Sequence, residues 1–176
     1  MVSPLAPAEL VRRACRLRLL LSDVDGVLTD AGVYYSARGE ELKRFSVRDG
    51  MGVERLREAG IATAFLTREN SDIVAARAAK LRITKVHLGV RDKLGHFPAL
   101  LADAQLAPEQ VAYIGDDLND LELLQRVAEV GLTAAPADAA EELLGCVHHV
   151  TVAPGGHGAF RQFADFILRL RRQEPV

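Results

Sequence analysis

The chain has 176 residues, of which 49% are hydrophobic and 26% charged, proportions that are typical of a single globular domain. Its net charge of −2 gives no electrostatic reason to expect a nucleic-acid partner. No apolar stretch approaches the roughly 20 residues of a membrane span, which argues against a membrane partner. Arginines gather near both ends, and we interpret them as solvated helix faces or tails: Arg12, Arg13, Arg16, Arg18, Arg169, Arg171 and Arg172.

The cysteines and the first apolar stretch bear on the cellular compartment. Cys15 and Cys146 are the two cysteines, and they lack the spacing of a metal site or of a disulfide framework. Arg16 and Arg18 interrupt the N-terminal apolar residues, so this stretch does not have the form of a signal peptide. These features favour a reducing, cytoplasmic location.

Apolar runs of strand length alternate along the chain with segments of helical spacing. We predict strands near 17–23, 61–67, 84–88, 111–115, 129–133 and 147–151, and helices near 50–59, 70–81, 92–104, 118–127, 137–144 and 157–172. Gly60 is expected to end the first of these helices, and Ser71 to open the next. The alternation predicts an α/β fold with a Rossmann-like, doubly wound parallel sheet and helices on both faces.

One segment breaks the alternation. Residues 31–47 have the pattern of two short strands around a turn at Gly39, which predicts a β-hairpin flap directly after the first strand. Such a hairpin would cover a site at the strand end or pair with another subunit through its exposed edges; a surface hairpin without a role is the alternative. We expect residues 1–176 to form one domain that ends in a loop and helix over 152–176.

Polar side chains follow several of the predicted strands. Ligands of open α/β sheets bind outside the carboxyl ends of the strands, so side chains placed there converge on one site. Lys93 begins the helix after the third strand. The residues that lie directly at strand ends are Asp23 and Asp25 (first strand), Thr67 (second), and Asp116 and Asp117 (fourth).

These residue types suit a divalent cation and phosphoryl chemistry. Asp23 and Asp116 can hold Mg²⁺, which takes one or two protein carboxylates together with phosphate oxygens and water. Once the phosphate charge is neutralised, Asp23 can attack phosphorus, while Asp25 can protonate the leaving oxygen and later activate water. For Asp23 and Asp25 the alternative is a structural metal site or a helix N-cap.

Lys93 and Thr67 complete this set. The lysine offers a positive charge to the transferring phosphoryl group, and the threonine offers a hydroxyl donor. Taken alone, Lys93 would be interpreted as a solvated helix lysine, and only its place in the set favours a catalytic role.

The four pieces, in this order, resemble the four motifs of the haloacid dehalogenase (HAD) phosphatase superfamily. They are Asp23-Val24-Asp25-Gly26, Thr67, Lys93 and Gly115-Asp116-Asp117-Leu118-Asn119-Asp120. The resemblance implies an aspartyl-phosphate intermediate on Asp23, with Asp25 as general acid and base. It also implies Mg²⁺ held by Asp23, the main-chain carbonyl of Asp25 and Asp116, with Asp117 and Asp120 as supporting acidic residues.

A closer resemblance covers nearly the whole chain from residue 17 onward. It rests on residues 23–30, 45–52, 78–81 and 155–161, which are similar to the cap-less branch of octulosonate 8-phosphate and nonulosonate 9-phosphate phosphatases. The resemblance implies that the substrate is a small phosphorylated 2-keto-3-deoxy sugar acid and that no cap domain is present. It further implies a homotetramer in which hairpins pair around the centre and a neighbour's surface closes each active site.

The second motif departs from the eight-carbon pattern of this branch. Thr67-Arg68-Glu69 stands where the octulosonate phosphatases usually have Thr-Gly-Arg, and the glutamate is more like the nine-carbon enzymes. Arg68 is a candidate for binding the substrate carboxylate, with a surface arginine as the alternative. Glu69 is a candidate for binding sugar hydroxyls, with a helix N-terminal charge as the alternative. The choice between eight and nine carbons stays open.

Further candidates for substrate binding lie elsewhere in the chain. Arg48 is one, and the Gly155-Gly156-His157 segment is another, because glycines permit close backbone approach to a ligand. The resemblance implies that this C-terminal segment lies near a neighbouring active site. A flexible loop before the last helix is the alternative.

Two rival functions stay open beside the sugar acid phosphatase. One is a HAD phosphatase of another small phosphorylated metabolite. The other is a non-catalytic tetramerisation module, like the domains associated with sialate cytidylyltransferases. Against the second stands the presence of Asp23, Asp25, Lys93 and Asp116, which an idle module need not keep.

Overall fold

A computed structural model describes residues 4–173. Residues 1–3 and 174–176, which belong to the predicted 1–176 domain and its 152–176 segment, lie outside the described residues. The helices are α1 (Pro7–Arg16), α2 (Val47–Glu58), α3 (Asp72–Lys80), α4 (Lys93–Ala104), α5 (Leu118–Ala128), α6 (Glu141–Leu144) and α7 (Ala159–Arg171). The strands are β1 (Leu19–Ser22), β2 (Val33–Ser36), β3 (Gly39–Lys43), β4 (Ala62–Leu66), β5 (Lys85–His87), β6 (Val111–Ile114), β7 (Leu132–Ala135) and β8 (His149–Val150).

Six strands form one parallel sheet in the order β5-β4-β1-β6-β7-β8. With the hairpin strands left out of the count, this is the 3-2-1-4-5-6 order of doubly wound sheets. The order reverses between β1 and β6, and ligands of such folds bind in the crevice at the carboxyl ends of these two strands. The predicted Rossmann-like α/β fold is confirmed.

The side chains of the central strands pack alternately on the two faces of the sheet. Leu20 and Phe65 are fully buried against α1, α2, α3 and α7, whereas Leu21 and Leu66 are fully buried against α4 and α5. Each such side chain contributes on the order of 1.5–3 kcal/mol by its removal from water. Burial on both faces explains the continuous apolar runs that identify these strands in the sequence.

The predicted hairpin flap is confirmed. β2 and β3 pair antiparallel as a separate two-stranded sheet, and Gly39 has a φ of +110° where β3 begins. The predicted range of 31–47 is slightly too long, because the Ser46 hydroxyl accepts a hydrogen bond from Arg48 N and α2 begins at Val47. Across residues 4–173 no other insertion forms a cap domain, as predicted. None of the helices in this range has the length and apolar character needed to cross a membrane.

The N-terminal helix was not predicted, and the interpretation of its arginines as solvated was wrong for Arg13. Val11 and Ala14 of α1 are buried, but closely spaced arginines hide this short apolar stripe in the sequence. The Arg13 guanidinium donates hydrogen bonds to the carbonyls of Ala128 and Gly131, 2.7 and 2.9 Å away. It therefore caps the C-terminal end of α5, a contact between distant segments that sequence spacing does not reveal.

Two predicted boundaries in the second half were also wrong. β7 begins at Leu132 rather than at 129, because the chain first turns at Gly131, where a Cβ would lie 2.1 Å from the Val111 carbonyl oxygen. The helix predicted over 137–144 is the single turn α6, from 141 to 144. Ala140 N donates instead to the Asp116 carbonyl, which keeps the preceding residues out of the helix.

The loop before α7 packs against the loop that follows β1. A Cβ on Gly155 would lie 1.9 Å from the Gly26 carbonyl oxygen, so only glycine fits there. Gly156 has a φ of +65°, and its N–H donates to the Val27 carbonyl at 2.9 Å. The C-terminal loop therefore braces the backbone of residues 23–30.

We expect Gly155→Ala to destabilise the fold, because the added methyl group overlaps backbone that cannot move aside. Overpacking of this kind costs about 1–3 kcal/mol or more in the free energy of unfolding, which urea denaturation measures. The matched control is Gly50→Ala in α2, where a Cβ meets only the ends of the Arg77 and Leu81 side chains. The control should stay within about 1 kcal/mol of the wild type. Equal effects of the two changes would contradict the bracing contact.

Candidate active site

Asp23 lies at the carboxyl end of β1, at the switch point of the sheet. Its N–H donates to the Ile114 carbonyl at 3.0 Å, which continues the pairing of β1 with β6. Its Oδ1 accepts hydrogen bonds from Val24 N at 2.7 Å and from Lys93 Nζ at 3.0 Å. Burial raises the pKa of the Asp23 carboxyl well above its ordinary value, and the neighbouring Asp120 charge adds to the rise.

Lys93 is the first residue of α4, and its side chain is completely buried. Besides contacting Asp23, its Nζ donates to Asp120 Oδ1 at 2.5 Å. Burial lowers the pKa of the Lys93 ammonium, but the two carboxylates outweigh this effect, so the pKa lies above its ordinary value. Lys93 is therefore a fixed positive charge beneath Asp23.

Asp120 is fully buried in the first turn of α5, and both of its carboxylate oxygens are occupied. Oδ1 accepts from Lys93 and also from the Tyr113 hydroxyl, at 2.5 Å. Oδ2 accepts from the main-chain N–H groups of Asp116 and Asp117, at 2.9 and 3.4 Å. Asp120 thus holds the lysine, and it also holds the turn that carries Asp116.

Asp116 follows β6 and points toward the loop after β1. A Cβ on Gly26 would lie 1.9 Å from Asp116 Oδ2, and Gly26 has a φ of +86°, so this turn requires glycine for two reasons. Asp116 Oδ1 is buried and has no hydrogen-bond partner among the described residues. Burial raises the pKa of its carboxyl to about 7, with the charges of Asp120 and Asp117 adding to the rise.

Asp25 lies two residues beyond Asp23, in the loop after β1. Lys43 Nζ, from β3 of the hairpin, donates to its Oδ1 at 2.6 Å, and the Thr29 hydroxyl donates to the same oxygen at 3.4 Å. Asp25 Oδ2 is buried without a hydrogen-bond partner among residues 4–173.

A cavity of about 460 Å³ opens at these carboxylates. It brings together most of the predicted site residues: the buried Thr67 hydroxyl accepts from Glu69 N at 3.1 Å, and Asp117 caps α5 at the rim by accepting from Leu118 N at 2.7 Å. The lining residues are Asp23, Asp25, Ala31, Thr67, Arg68, Glu69, Arg91, Asp116, Asp117 and Asn119.

Four predicted substrate-binding residues lie outside this cavity. Arg48 and His157 are exposed and line a separate cavity of about 370 Å³ beside the N-terminus of α7. Gly155 and Gly156 are buried against the loop after β1, so the close backbone approach that they permit is made to this chain itself.

The donor set fits a hard divalent cation. Oxygens of Asp23, Asp116 and Asp120 lie within 4.8 Å of one another. Since the Asp120 oxygens are already occupied by four donors, Asp23 and Asp116 remain as carboxylate ligands, and Asp116 offers an unpartnered buried oxygen. One or two carboxylates with open positions for water and phosphate are typical of Mg²⁺ sites.

Sequence reasoning missed several residues of the site. Lys43 carried no signal, because a lysine in a charged hairpin looks like a solvated one. Arg91 lies two residues before Lys93 and belongs to no motif, and Asn119 lies within the fourth motif but was given no role of its own. Tyr113 had a usable signal: it is a hydroxyl inside a fully buried strand, and such a hydroxyl requires a partner.

Sequence similarity connects the chain to known proteins. No protein-family model matches it. It is 46% identical over 160 residues to 3-deoxy-D-manno-octulosonate 8-phosphate phosphatase KdsC of Yersinia pestis, an alignment that covers 91% of this chain and 84% of that protein.

Solved structures of 3-deoxy-D-manno-octulosonate 8-phosphate phosphatases also superpose on the chain. The cobalt-bound deoxy-D-mannose-octulosonate 8-phosphate phosphatase of Haemophilus influenzae superposes with a TM-score of 0.85 at 39% identity, covering 91% of this chain and 92% of that one. The 3-deoxy-D-manno-octulosonate 8-phosphate phosphatase of Moraxella catarrhalis, in complex with magnesium, phosphate and KDO, superposes with a TM-score of 0.86 at 33% identity. This second match covers 93% of this chain and 92% of the other.

We expect the ionisation of Asp116 to lower the stability of the metal-free protein as the pH rises. Because the folded-state pKa of Asp116 is about 7, above the ordinary 3.8, folding favours its protonated form. The associated stabilisation is complete below about pH 4 and is lost as the pH rises through about 7. In urea unfolding with EDTA between about pH 5 and 8, the free energy of unfolding of the wild type should fall relative to that of Asp116→Asn. Asp103→Asn, on the surface where this carboxylate pairs with Lys85, is the control and should keep the wild-type slope; an unchanged slope in Asp116→Asn would contradict the assignment.

Proposed function

Because the chain belongs to the family of 3-deoxy-D-manno-octulosonate 8-phosphate phosphatases, we propose that it releases phosphate from a phosphorylated sugar acid of this kind, with Mg²⁺ as cofactor. We propose 3-deoxy-D-manno-octulosonate 8-phosphate, the eight-carbon compound in the names of these relatives, as the first candidate substrate. One observation carries the proposal. The buried Lys93 ammonium lies between Asp23 and Asp120, directly beneath a cavity that Asp23 and Asp116 line.

Asp23 is the proposed nucleophile. Its carboxylate forms a bond to phosphorus while the bond between phosphorus and the sugar oxygen breaks, which yields an aspartyl phosphate. Lys93, 3.0 Å from Asp23 Oδ1, orients the carboxylate and offers positive charge to the phosphoryl oxygens. The Thr67 hydroxyl accepts from Glu69 N, so its own proton is free to be donated to the same phosphoryl group.

Asp25 is the proposed general acid and base. In the first step its proton passes to the departing sugar oxygen, which leaves as a neutral hydroxyl group of the sugar acid. In the second step the Asp25 carboxylate takes a proton from water, whose oxygen attacks phosphorus. The bond between phosphorus and Asp23 then breaks, free phosphate leaves, and the Asp23 carboxylate is restored.

The proposed metal ligands are the carboxylates of Asp23 and Asp116 and the main-chain carbonyl of Asp25. Bound Mg²⁺ neutralises the phosphate charge that would otherwise repel the anionic nucleophile. Asp120 and Asp117 are proposed to support the site without binding the metal. Asp120 holds Lys93 and the turn that carries Asp116, and Asp117 caps α5.

The proposed contacts to the sugar acid lie at the rim of the cavity. Arg68 and Arg91 are exposed cations on this rim, and we propose that they bind the substrate carboxylate. Glu69 lies on the same rim, where it would accept hydrogen bonds from sugar hydroxyls. The phosphate would then occupy the floor of the cavity and the carboxylate its mouth.

We also propose a homotetramer in the cytoplasm, in keeping with the absence of a disulfide at Cys15 and Cys146. The hairpin supports the assembly, since Tyr34, Tyr35 and Leu42 are 63%, 71% and 62% exposed there. In such an assembly Arg48 and the Gly155-Gly156-His157 segment would face a neighbouring active site. Sedimentation equilibrium tests this proposal, and a monomer at micromolar concentration would contradict it.

The function is tested by a substrate panel. We expect Mg²⁺-dependent phosphate release from 3-deoxy-D-manno-octulosonate 8-phosphate, with kcat/KM at least tenfold above that for nonulosonate 9-phosphates. The reverse preference would mean that Glu69 selects the nine-carbon acid. Comparable low rates on both would favour another phosphorylated metabolite as the substrate. No release from any phosphomonoester, despite bound metal, would favour the non-catalytic module.

The role of Asp23 is tested by Asp23→Asn. We expect phosphate release to fall by at least about 10⁴-fold, because an amide cannot form the acyl phosphate, while the circular dichroism spectrum and the oligomeric state stay unchanged. Asp103→Asn is the matched control, since this carboxylate is exposed and pairs with Lys85 on the surface. The control should retain wild-type kcat. Substantial turnover by Asp23→Asn would contradict the aspartyl-phosphate mechanism.

A further inference from the structure

The hairpin contributes a buried lysine to the neighbourhood of Asp25. The Lys43 side chain is only 1% exposed, although it extends from a two-stranded flap whose other strand, β2, is fully exposed. Its Nζ lies 2.6 Å from Asp25 Oδ1 and 3.6 Å from Glu40 Oε2. A buried ammonium is tolerated only where carboxylates pair with it, and these two supply the pairing.

The two oxygens of the Asp25 carboxyl have different environments. Oδ1 accepts from Lys43 and, at 3.4 Å, from the Thr29 hydroxyl. Oδ2 is buried and has no partner among the described residues, yet Asp25 lines the cavity beside Asp23. The contacts to Oδ1 therefore fix the rotation of the carboxyl group and leave Oδ2 for the reacting atoms.

The strand that carries Lys43 is itself fastened to the site. Glu40 Oε1 accepts from the Ser71 hydroxyl at 2.6 Å, and Ser71 precedes α3, four residues after Thr67. β3 is thus bonded on one side to the loop after β1 and on the other to the loop after β4. A lysine held in this way has little freedom to move, which is the property needed to orient another group.

We propose that Lys43 is a positioning residue for the reaction: it holds Asp25 Oδ1 so that Oδ2 delivers the proton to the departing sugar oxygen and later takes one from water. The inference rests on the proposed function, because it presumes that Asp25 is the general acid and base. It assigns the flap a role in the chemistry in addition to any role in assembly. A general acid contributes about 10²–10⁴ in rate, and a misdirected one loses part of that.

The test compares two substrates that differ in one atom. One is 3-deoxy-D-manno-octulosonate 8-phosphate, and the other is its analogue with sulfur in place of the bridging oxygen. A thiolate leaves without protonation, since thiols have a pKa of about 8.5, whereas the alcohol requires the proton. We expect Lys43→Met to lower kcat/KM by about 30-fold for the oxygen ester and by less than about threefold for the sulfur ester. Because kcat/KM covers only the steps up to phosphoryl transfer, the later water step does not affect the comparison.

Three further variants make the result specific. Asp25→Asn should show the same selective loss for the oxygen ester, of about 100-fold or more. Lys43→Arg keeps the charge and the donors, so it should recover at least half of the kcat/KM lost in Lys43→Met, on a logarithmic scale. Lys85→Met is the matched control, because Lys85 pairs with Asp103 far from the cavity, and it should affect neither ester. Should Lys43→Met fail to fold, Lys43→Gln replaces it, since the shorter amide cannot reach Asp25 but remains polar beside Glu40.

The outcomes separate this inference from the proposed function. Equal losses on both esters in the Lys43 variants, with a selective loss in Asp25→Asn, would overturn the inference and leave the phosphatase intact. Lys43 would then serve only to fasten the hairpin. A wild-type protein that hydrolyses neither ester would overturn the proposed function itself.

Discussion

The site depends on one buried cation, the ammonium of Lys93, held between Asp23 and Asp120. The lysine and Asp120 are completely excluded from water, and Asp23 nearly so. Removing one partner from a buried ion pair costs about 3–5 kcal/mol, so these three residues must be kept together. With Asp116 added, three carboxylates face a single ammonium, and the excess negative charge is what a divalent cation relieves. Burial and this charge imbalance together raise the pKa of Asp116 to about 7 in the metal-free chain.

Glycines give the carboxylates room to approach one another. Gly26 has a φ of +86° and leaves space for the Asp116 carboxylate, while Gly115 leaves space for Asp120, since a Cβ there would lie 2.5 Å from the Asp120 carboxyl carbon. Gly155 extends the same principle, because its contact with the Gly26 carbonyl lets the C-terminal loop support the turn. These glycines therefore lie where charged groups or backbone segments must be close together, and the loop after β1 is supported from both sides.

Much of the fold and of the site could be predicted from local patterns. Asp23 and Asp116 each follow an apolar run, and the rules for parallel sheets bring such strand ends together. The predictions that failed depended on a short apolar stripe or on contacts between distant segments. α1 was missed because its buried stripe is short, and α6 was predicted too long because Ala140 bonds to the Asp116 carbonyl. Lys43 could not be identified, since its burial arises only when the hairpin folds onto the loop after β1.

Attack of the Asp23 carboxylate on phosphorus is tested most directly by chemical trapping of the aspartyl phosphate. The protein is mixed with Mg²⁺ and 3-deoxy-D-manno-octulosonate 8-phosphate, quenched in acid during turnover, and reduced with borohydride, which converts an aspartyl phosphate to homoserine. Peptide mass spectrometry then locates the product. We expect homoserine at position 23 only, and none without substrate. Homoserine at another position, or full turnover with unmodified Asp23 in every quenched sample, would contradict it.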